Sequence, residues 1–130
     1  MELHRLRENS LEALTKIDSK KIDQITISDG DLENVKNYLK EAGINNWNDY
    51  FFDLYPMVKG EQKDILNMLD YYKEVFEFKF NPKKVLVIGD NYDIDIALAK
   101  KQGCQTLHTP QKDKNKIRIP FPVDEIIEFL

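Results

Sequence analysis

The sequence predicts an α/β fold in which the strands are mainly parallel. Four short apolar or β-branched runs are typical of strands, and each is followed by a segment whose apolar residues recur at helical spacing. Strands that alternate with helices need right-handed crossover connections, which make them parallel. The clearest such unit is the stretch 84–103, where the run VLVI ends at Gly89-Asp90 before helical spacing begins. Carboxylates thereby lie at the carboxyl end of a strand, where open α/β sheets bind ligands.

Each element is justified by its local pattern. The run QITIS is β-branched, Gly43 is a C-terminal stop for the helix before it, and Pro56 ends the second strand. The third helix has an apolar side, formed by Ile65, Met68, Leu69 and Tyr72, and the helix after Asp90 has one formed by Ile94, Ala97 and Leu98. The predicted elements in chain order are a helix at about 10–20, a strand at 24–28, a helix at 32–42, a strand at 50–55, a helix at about 61–75, a strand at 84–88, a helix after Asp90, a strand at 105–108 and a helix at 123–130.

Length, charge and cysteine content limit the class of protein. A chain of 130 residues predicts one domain, covering residues 1–130, without a sizeable insertion. The net charge of -4 argues against a nucleic-acid partner, because proteins that bind nucleic acid normally have a basic face. No apolar run approaches the roughly 20 residues of a membrane span, so we expect no membrane contact. The single cysteine, Cys104, excludes an internal disulfide and fits a reducing, cytoplasmic location.

Polar side chains collect where the predicted strands end. Asp90 and Asp95 are two nearby acids, and a hard cation such as Mg²⁺ would neutralise their repulsion. Ser28 offers a hydroxyl, the Asp29-Gly30 turn offers backbone N–H groups at a helix start, and Lys59 offers a positive charge. Because parallel strands end at one edge of the sheet, these groups together predict a phosphate held against Mg²⁺.

Each of these residues also has an ordinary structural interpretation. The Ser28 hydroxyl is a plausible helix cap, and a lone Lys59 is a plausible solvated lysine. Acids such as Asp93 and Asp95 in the first turn of a helix complement its dipole. The functional interpretation therefore depends on the joint order and placement of the residues.

That joint pattern resembles the haloacid dehalogenase-like (HAD) superfamily, largely Mg²⁺-dependent phosphatases with a Rossmann-like three-layer sandwich. ITIS-D-G at 25–30 is similar to the second motif of the family, which implies that Ser28 binds a phosphoryl group. VKG at 58–60 is similar to the third motif, which implies that Lys59 stabilises the phosphoryl charge and the nucleophile. GDNYDID is similar to the fourth motif, which implies that Asp90 binds Mg²⁺ and that Asp95, or Asp93 at a shorter spacing, supports it.

The first motif of the family has no clear counterpart. That motif, DxDx[TV] after a central strand, carries the nucleophilic aspartate and the acid/base aspartate. The one DxD that follows a strand is Asp29-Gly30-Asp31, and Leu32-Glu33 follows it instead of the family pattern. If it were the first motif, no strand ending in Ser or Thr would remain before Lys59. The expected fold is therefore HAD-like with its first, central strand missing.

Three hypotheses on function remain open. The chain is the larger part of a HAD-type phosphatase, incomplete as it stands; or it is a natural HAD-like protein that binds phosphate, Mg²⁺ or a partner without hydrolysis; or it is another phosphoryl-handling domain, such as a receiver. The third hypothesis is disfavoured because a receiver domain has its acids early in the sequence and its lysine last, whereas here Ser28 and Lys59 precede Asp90. The resemblance implies a phosphorylated small molecule or phosphoprotein as substrate, and an unpaired strand edge would favour a homodimer.

Overall fold

A computed structural model describes residues 7–28, 32–56, 63–77 and 81–129. The chain is an α/β protein with parallel strands, as the sequence predicts. The helices are α1 (Ser10–Ser19), α2 (Leu32–Glu41), α3 (Ile65–Phe76), α4 (Ala97–Lys101) and α5 (Val123–Phe129), and the strands are β1 (Ile25–Ser28), β2 (Asp53–Pro56), β3 (Leu86–Gly89) and β4 (Gln105–His108). Short 3-10 turns lie at Trp47–Asp49 and Pro82–Lys84, and a π-helix, Tyr92–Ile96, precedes α4.

The described residues group into two compact units, and the prediction of one domain stays a prediction. Unit 1 is formed within residues 1–61 and 117–130. In it β1 pairs with β2 in parallel, with Ile25 opposite Asp53. Its buried apolar side chains come from α1, α2, β2 and α5 and include Ala13, Ile17, Val35, Leu54, Val123 and Ile126.

Unit 2 is formed within residues 62–116. Its strands β3 and β4 are parallel, with Leu86 opposite Gln105 and Gly89 opposite His108. The predicted apolar side of α3 is confirmed, since its four residues are 0–8% exposed. Burying one such side chain contributes roughly 1.5–3 kcal/mol, so this face accounts for much of the stability of the unit.

The predicted starts of the second strand and of the third helix were wrong. In each case the hydrogen bonds of nearby backbone N–H groups explain the observed start. The N–H groups of Tyr50 and Phe51 both donate to the Trp47 carbonyl, at 3.1 and 3.0 Å, so β2 begins only at Asp53. Asp64 has an extended backbone and its side chain accepts from the Asn67 N–H at 3.0 Å. It is the N-cap of α3, which therefore begins at Ile65 rather than near residue 61.

The predicted apolar face of the helix after Asp90 was also wrong. Ile94 is 47% exposed, whereas Asp95, Ile96 and Ala99 are buried. The cause is the π-helix, in which the extra residue per turn shifts which side chains point inward. An α-helical spacing rule cannot anticipate that shift from sequence alone.

The described helices include none that is both long enough and apolar enough to cross a bilayer.

Candidate functional site

Asp90 lies exposed at the carboxyl end of β3, as predicted. The neighbouring strand β4 ends beside it, because the Thr109 N–H donates to the Gly89 carbonyl at 2.8 Å. The ring of His108 lies 3.0 Å from the Asp90 carbonyl oxygen. That oxygen only accepts, so His108 Nε2 is the donor. The Asp90 backbone is thus fixed from the neighbouring strand, while its side chain faces solvent.

The Asp90 carboxylate is held by one side chain from the loop after β4. The amide of Gln111 donates to Asp90 Oδ2. The hydrogen bond orients the carboxylate of this exposed residue.

Asp95 is the buried acid of the pair, with 4% of its surface exposed. Its Oδ2 accepts the backbone N–H of Asn91 at 3.0 Å, and its Oδ1 forms an ion pair with the Lys63 ammonium. Asp93, in the same π-helix, is exposed. Both oxygens of Asp95 therefore have partners within unit 2, whereas Asp93 faces solvent.

Gly89 is required because Asp95 packs directly against it. A Cβ at position 89 would overlap the Cβ and the carboxylate of Asp95. These atoms belong to the first part of a short, buried side chain, which has little freedom to move away. The glycine of the Gly89-Asp90 pair thus makes room for the second acid.

The electrostatics of this cluster keep Asp95 charged. Burial on its own would raise the pKa of the Asp95 carboxyl, but the hydrogen bond and charge of Lys63 and the Asn91 N–H outweigh it. A side-chain contact with Asp90 acts in the same direction, and the pKa falls below the ordinary 3.8. Asp95 is thus a buried, ionised carboxylate at neutral pH.

Lys63 is placed by the start of α3, which is itself fastened to the end of α4. The side chain of Gln102 accepts from the Ile65 N–H at 2.9 Å and the Leu66 N–H at 3.2 Å. Its amide also donates to Asp64 Oδ1 at 2.8 Å. Gln102 therefore satisfies N–H groups that α3 leaves open at its first turn, and it fixes the backbone next to Lys63.

This arrangement lies inside the part of the chain that matches a known family. Residues 62–116 match a family model described as HAD-hydrolase-like. This segment of the chain is therefore similar to the HAD-like superfamily. In fold it is similar to a hydrolase from Streptococcus pneumoniae TIGR4, with a TM-score of 0.56, 23% sequence identity, and coverage of 81% of this chain and 52% of that chain. The chain thus spans about half the length of that structure. A search of curated proteins finds no match.

Of the predicted site residues, the structure brings Asp90 and Asp95 together at the end of β3. Ser28 ends β1 in unit 1, as predicted, and its role in phosphate binding stays a prediction. Asp29, Gly30 and Lys59 lie outside the described residues, and the roles given to them also stay predictions.

Of the two acids at this site, only Asp90 has a carboxylate suited to bind a divalent cation. Asp90 offers an exposed carboxylate at the carboxyl end of β3, and carboxylate oxygens are ligands that Mg²⁺ accepts. Asp95 has both oxygens engaged by Lys63 and Asn91. Asp90 is therefore the group suited to bind Mg²⁺, and Asp95 is suited to support it from behind. Within the described ranges, no cluster of three or more His, Cys, Asp or Glu side chains could hold a metal by itself.

Three residues of the candidate site were not predicted from the sequence: Lys63, Gln102 and Gln111. The sequence does contain a local signal for Lys63. Lys63-Asp64 immediately precedes the apolar face of α3, and Asp64 is a good N-cap. Neither glutamine gives such a signal, since each acts on a partner distant in the sequence.

Proposed function

We propose that this chain is the cation- and phosphate-handling part of a HAD-like hydrolase that acts on a phosphorylated substrate with Mg²⁺. The proposal is carried by one observation. An exposed carboxylate, Asp90, stands at the end of β3, and a buried Asp95–Lys63 ion pair lies behind it. A buried charge pair costs desolvation, so its position beside an exposed acid at a strand end favours a functional role over a purely structural one.

Asp90 would hold the cation through its carboxylate, which the Gln111 amide orients. A bound Mg²⁺ would supply positive charge to the phosphate oxygens. Asp95 would contribute through its charge and through the backbone of Asn91, which it holds beside the end of β3.

Lys63 is the lysine that the described residues place at the site. Its side chain is 19% exposed, so the ammonium is only partly withdrawn from solvent. An ammonium carries three N–H donors, and Asp95 accounts for one direction, so Lys63 retains donors for a phosphate oxygen. We propose that Lys63 stabilises negative charge there, a role that the sequence resemblance gave to Lys59.

Phosphate and Mg²⁺ binding without hydrolysis is the second candidate. It accounts for the 130 residues by themselves, in which no DxDx[TV] motif follows a predicted strand. The match of residues 62–116 to a HAD-hydrolase-like family model disfavours the receiver alternative. The two remaining candidates share the cation site and differ only in turnover.

Titration calorimetry with Mg²⁺ tests the shared cation site. Asp90→Asn should lower Mg²⁺ affinity at least about tenfold, because the ligand charge is lost. Asp93→Asn removes the same charge from an exposed neighbour and should change affinity less than about twofold. Equal Mg²⁺ binding by the wild type and Asp90→Asn would exclude the proposed cation site.

Hydrolysis of p-nitrophenyl phosphate tests whether these 130 residues turn a phosphate ester over by themselves. We expect the 130-residue chain to turn this ester over poorly or not at all with Mg²⁺, because loss of a nucleophile costs several orders of magnitude in rate. Robust turnover that Asp29→Asn abolishes would instead identify Asp29 as the nucleophile. In that case the motif assignment of residues 25–30 would be wrong.

A further inference from the structure

We infer that the loop of residues 111–116, called here the basic loop, makes the Asp90 site select phosphate esters that carry a second anionic group. The inference rests on the proposed function and adds a substrate class to it. The basic loop follows β4 and contains three lysines, Lys112, Lys114 and Lys116, with one acid among them.

The basic loop is fastened to the site by its first residue. Gln111 donates its amide to the Asp90 carboxylate, the same group that is proposed to hold the cation. Consecutive Cα atoms are about 3.8 Å apart, so the backbone of Lys112 lies next to the site.

The far half of the basic loop is an ordered turn. The Asp113 side chain accepts the Asn115 N–H at 2.8 Å, and the Asp113 carbonyl accepts the Lys116 N–H at 3.0 Å. Lys116 has a φ of 63°, in the left-handed region that a non-glycine residue rarely adopts. The turn fixes where the lysine-bearing backbone runs, and this lowers the entropy lost when a ligand binds.

Within the part of the chain that the structure describes, no carboxylate pairs with the positive charge of the basic loop. All three lysines are exposed, and among the described residues none of their ammonium groups lies within 4.0 Å of a carboxylate. With three lysines and one aspartate the loop has a net charge of +2, whereas the whole chain has -4. Unpaired positive charge next to a phosphate site attracts further negative charge on the same ligand, within a screening distance of about 8 Å in physiological salt.

The inference can be tested with two sugar phosphates that share one sugar and differ only in the number of phosphate groups. Binding of fructose 6-phosphate and fructose 1,6-bisphosphate is measured by calorimetry with Mg²⁺ at low ionic strength. An exposed ion pair changes affinity about 1.5- to 5-fold, so three lysines should favour the bisphosphate about tenfold. The triple change Lys112→Gln, Lys114→Gln and Lys116→Gln should reduce that preference to less than about threefold, as should raised salt.

A control variant removes the same charge from the opposite end of unit 2. Lys83 and Lys84 precede β3, and Lys100 lies in the last turn of α4. The Gln105 amide, at the start of β4, donates to the Lys83 carbonyl, which places Lys83 and Lys84 at the amino ends of the strands. Lys100 lies near the same end, because the end of α4 leads into the start of β4. The change of all three to Gln should leave the preference for the bisphosphate within about twofold of the wild type.

The outcomes are distinguishable. An unchanged preference in the basic-loop variant, or no preference in the wild type while Mg²⁺ binding still depends on Asp90, overturns this inference alone. Loss of the Asp90 dependence overturns the proposed function with it. A basic-loop variant that loses binding to a single-stranded oligonucleotide, yet keeps its sugar phosphate preference, would show that the loop serves a nucleic acid and would also overturn the inference.

Discussion

Lys63 and Asp95 form an ion pair that joins the segment before α3 to the π-helix after β3. Asp95 is only 4% exposed, and its charge is favoured by Lys63 and by the Asn91 N–H. The pair therefore matters for the stability of unit 2 as well as for the site, and the effects can be measured separately.

Lys63→Met should destabilise the protein by about 2–3 kcal/mol at pH 7. The loss is smaller than the roughly 3–5 kcal/mol of a fully buried pair, because Lys63 is 19% exposed. The matched control is Lys16→Met, which removes a solvent-exposed pair with Glu12 at 3.4 Å and should cost less than about 0.5 kcal/mol. Urea unfolding without metal measures both, and similar losses in the two variants would contradict a special role for Lys63.

The difference in stability between the wild type and Lys63→Met should depend on pH. The pKa of Asp95 in the folded protein lies below its ordinary value of 3.8, so its contribution to stability is present above that value and is lost as pH falls through the folded pKa. Without Lys63, the burial of Asp95 is no longer offset by a nearby positive charge, so the pKa of Asp95 rises. The difference in unfolding free energy between wild type and Lys63→Met should therefore be largest above about pH 5 and shrink toward pH 3. A difference that stays constant over this range would show that the pair is not the cause.

Gly89→Ala should disrupt the site through overlap with Asp95. The added Cβ would occupy the position of Asp95 atoms, at a cost of about 1–3 kcal/mol or more, and Mg²⁺ affinity should fall as Asp95 is displaced. Gly43→Ala is the control, because nothing lies within 4 Å of its added Cβ and only its φ of 97° is unfavourable. We expect the control to lose about 1–2 kcal/mol of stability and no Mg²⁺ affinity. Unchanged Mg²⁺ binding in Gly89→Ala would separate Asp95 from the cation site.

Gln102→Ala should loosen the start of α3. The change removes the acceptor of the Ile65 and Leu66 N–H groups and the donor to Asp64, at a cost of about 0.5–2 kcal/mol. Hydrogen exchange at the first turn of α3 should accelerate. Gln105→Ala, which removes an exposed hydrogen bond to the Lys83 carbonyl, should leave those amides protected. Equal exchange in both variants would show that Gln102 does not hold α3.

The sequence by itself determined the α/β class, the order of the elements and the position of Asp90. These depend on local patterns: β-branched runs make strands, helical spacing makes helices, and a Gly-Asp pair after a buried strand places an acid at its end. The apolar side of α3 was predictable for the same reason, since its residues recur at α-helical spacing.

Only the tertiary structure decided what surrounds Asp90. The π-helix turned Asp95 inward and left Asp93 in solvent, which no regular spacing indicates. Lys63 reached Asp95 because Gln102 fixes the start of α3, and Gln111 reached Asp90 because β3 and β4 end side by side. These contacts join segments that are far apart in the sequence, so they depend on strand register and helix packing. Local pattern carries no information on either.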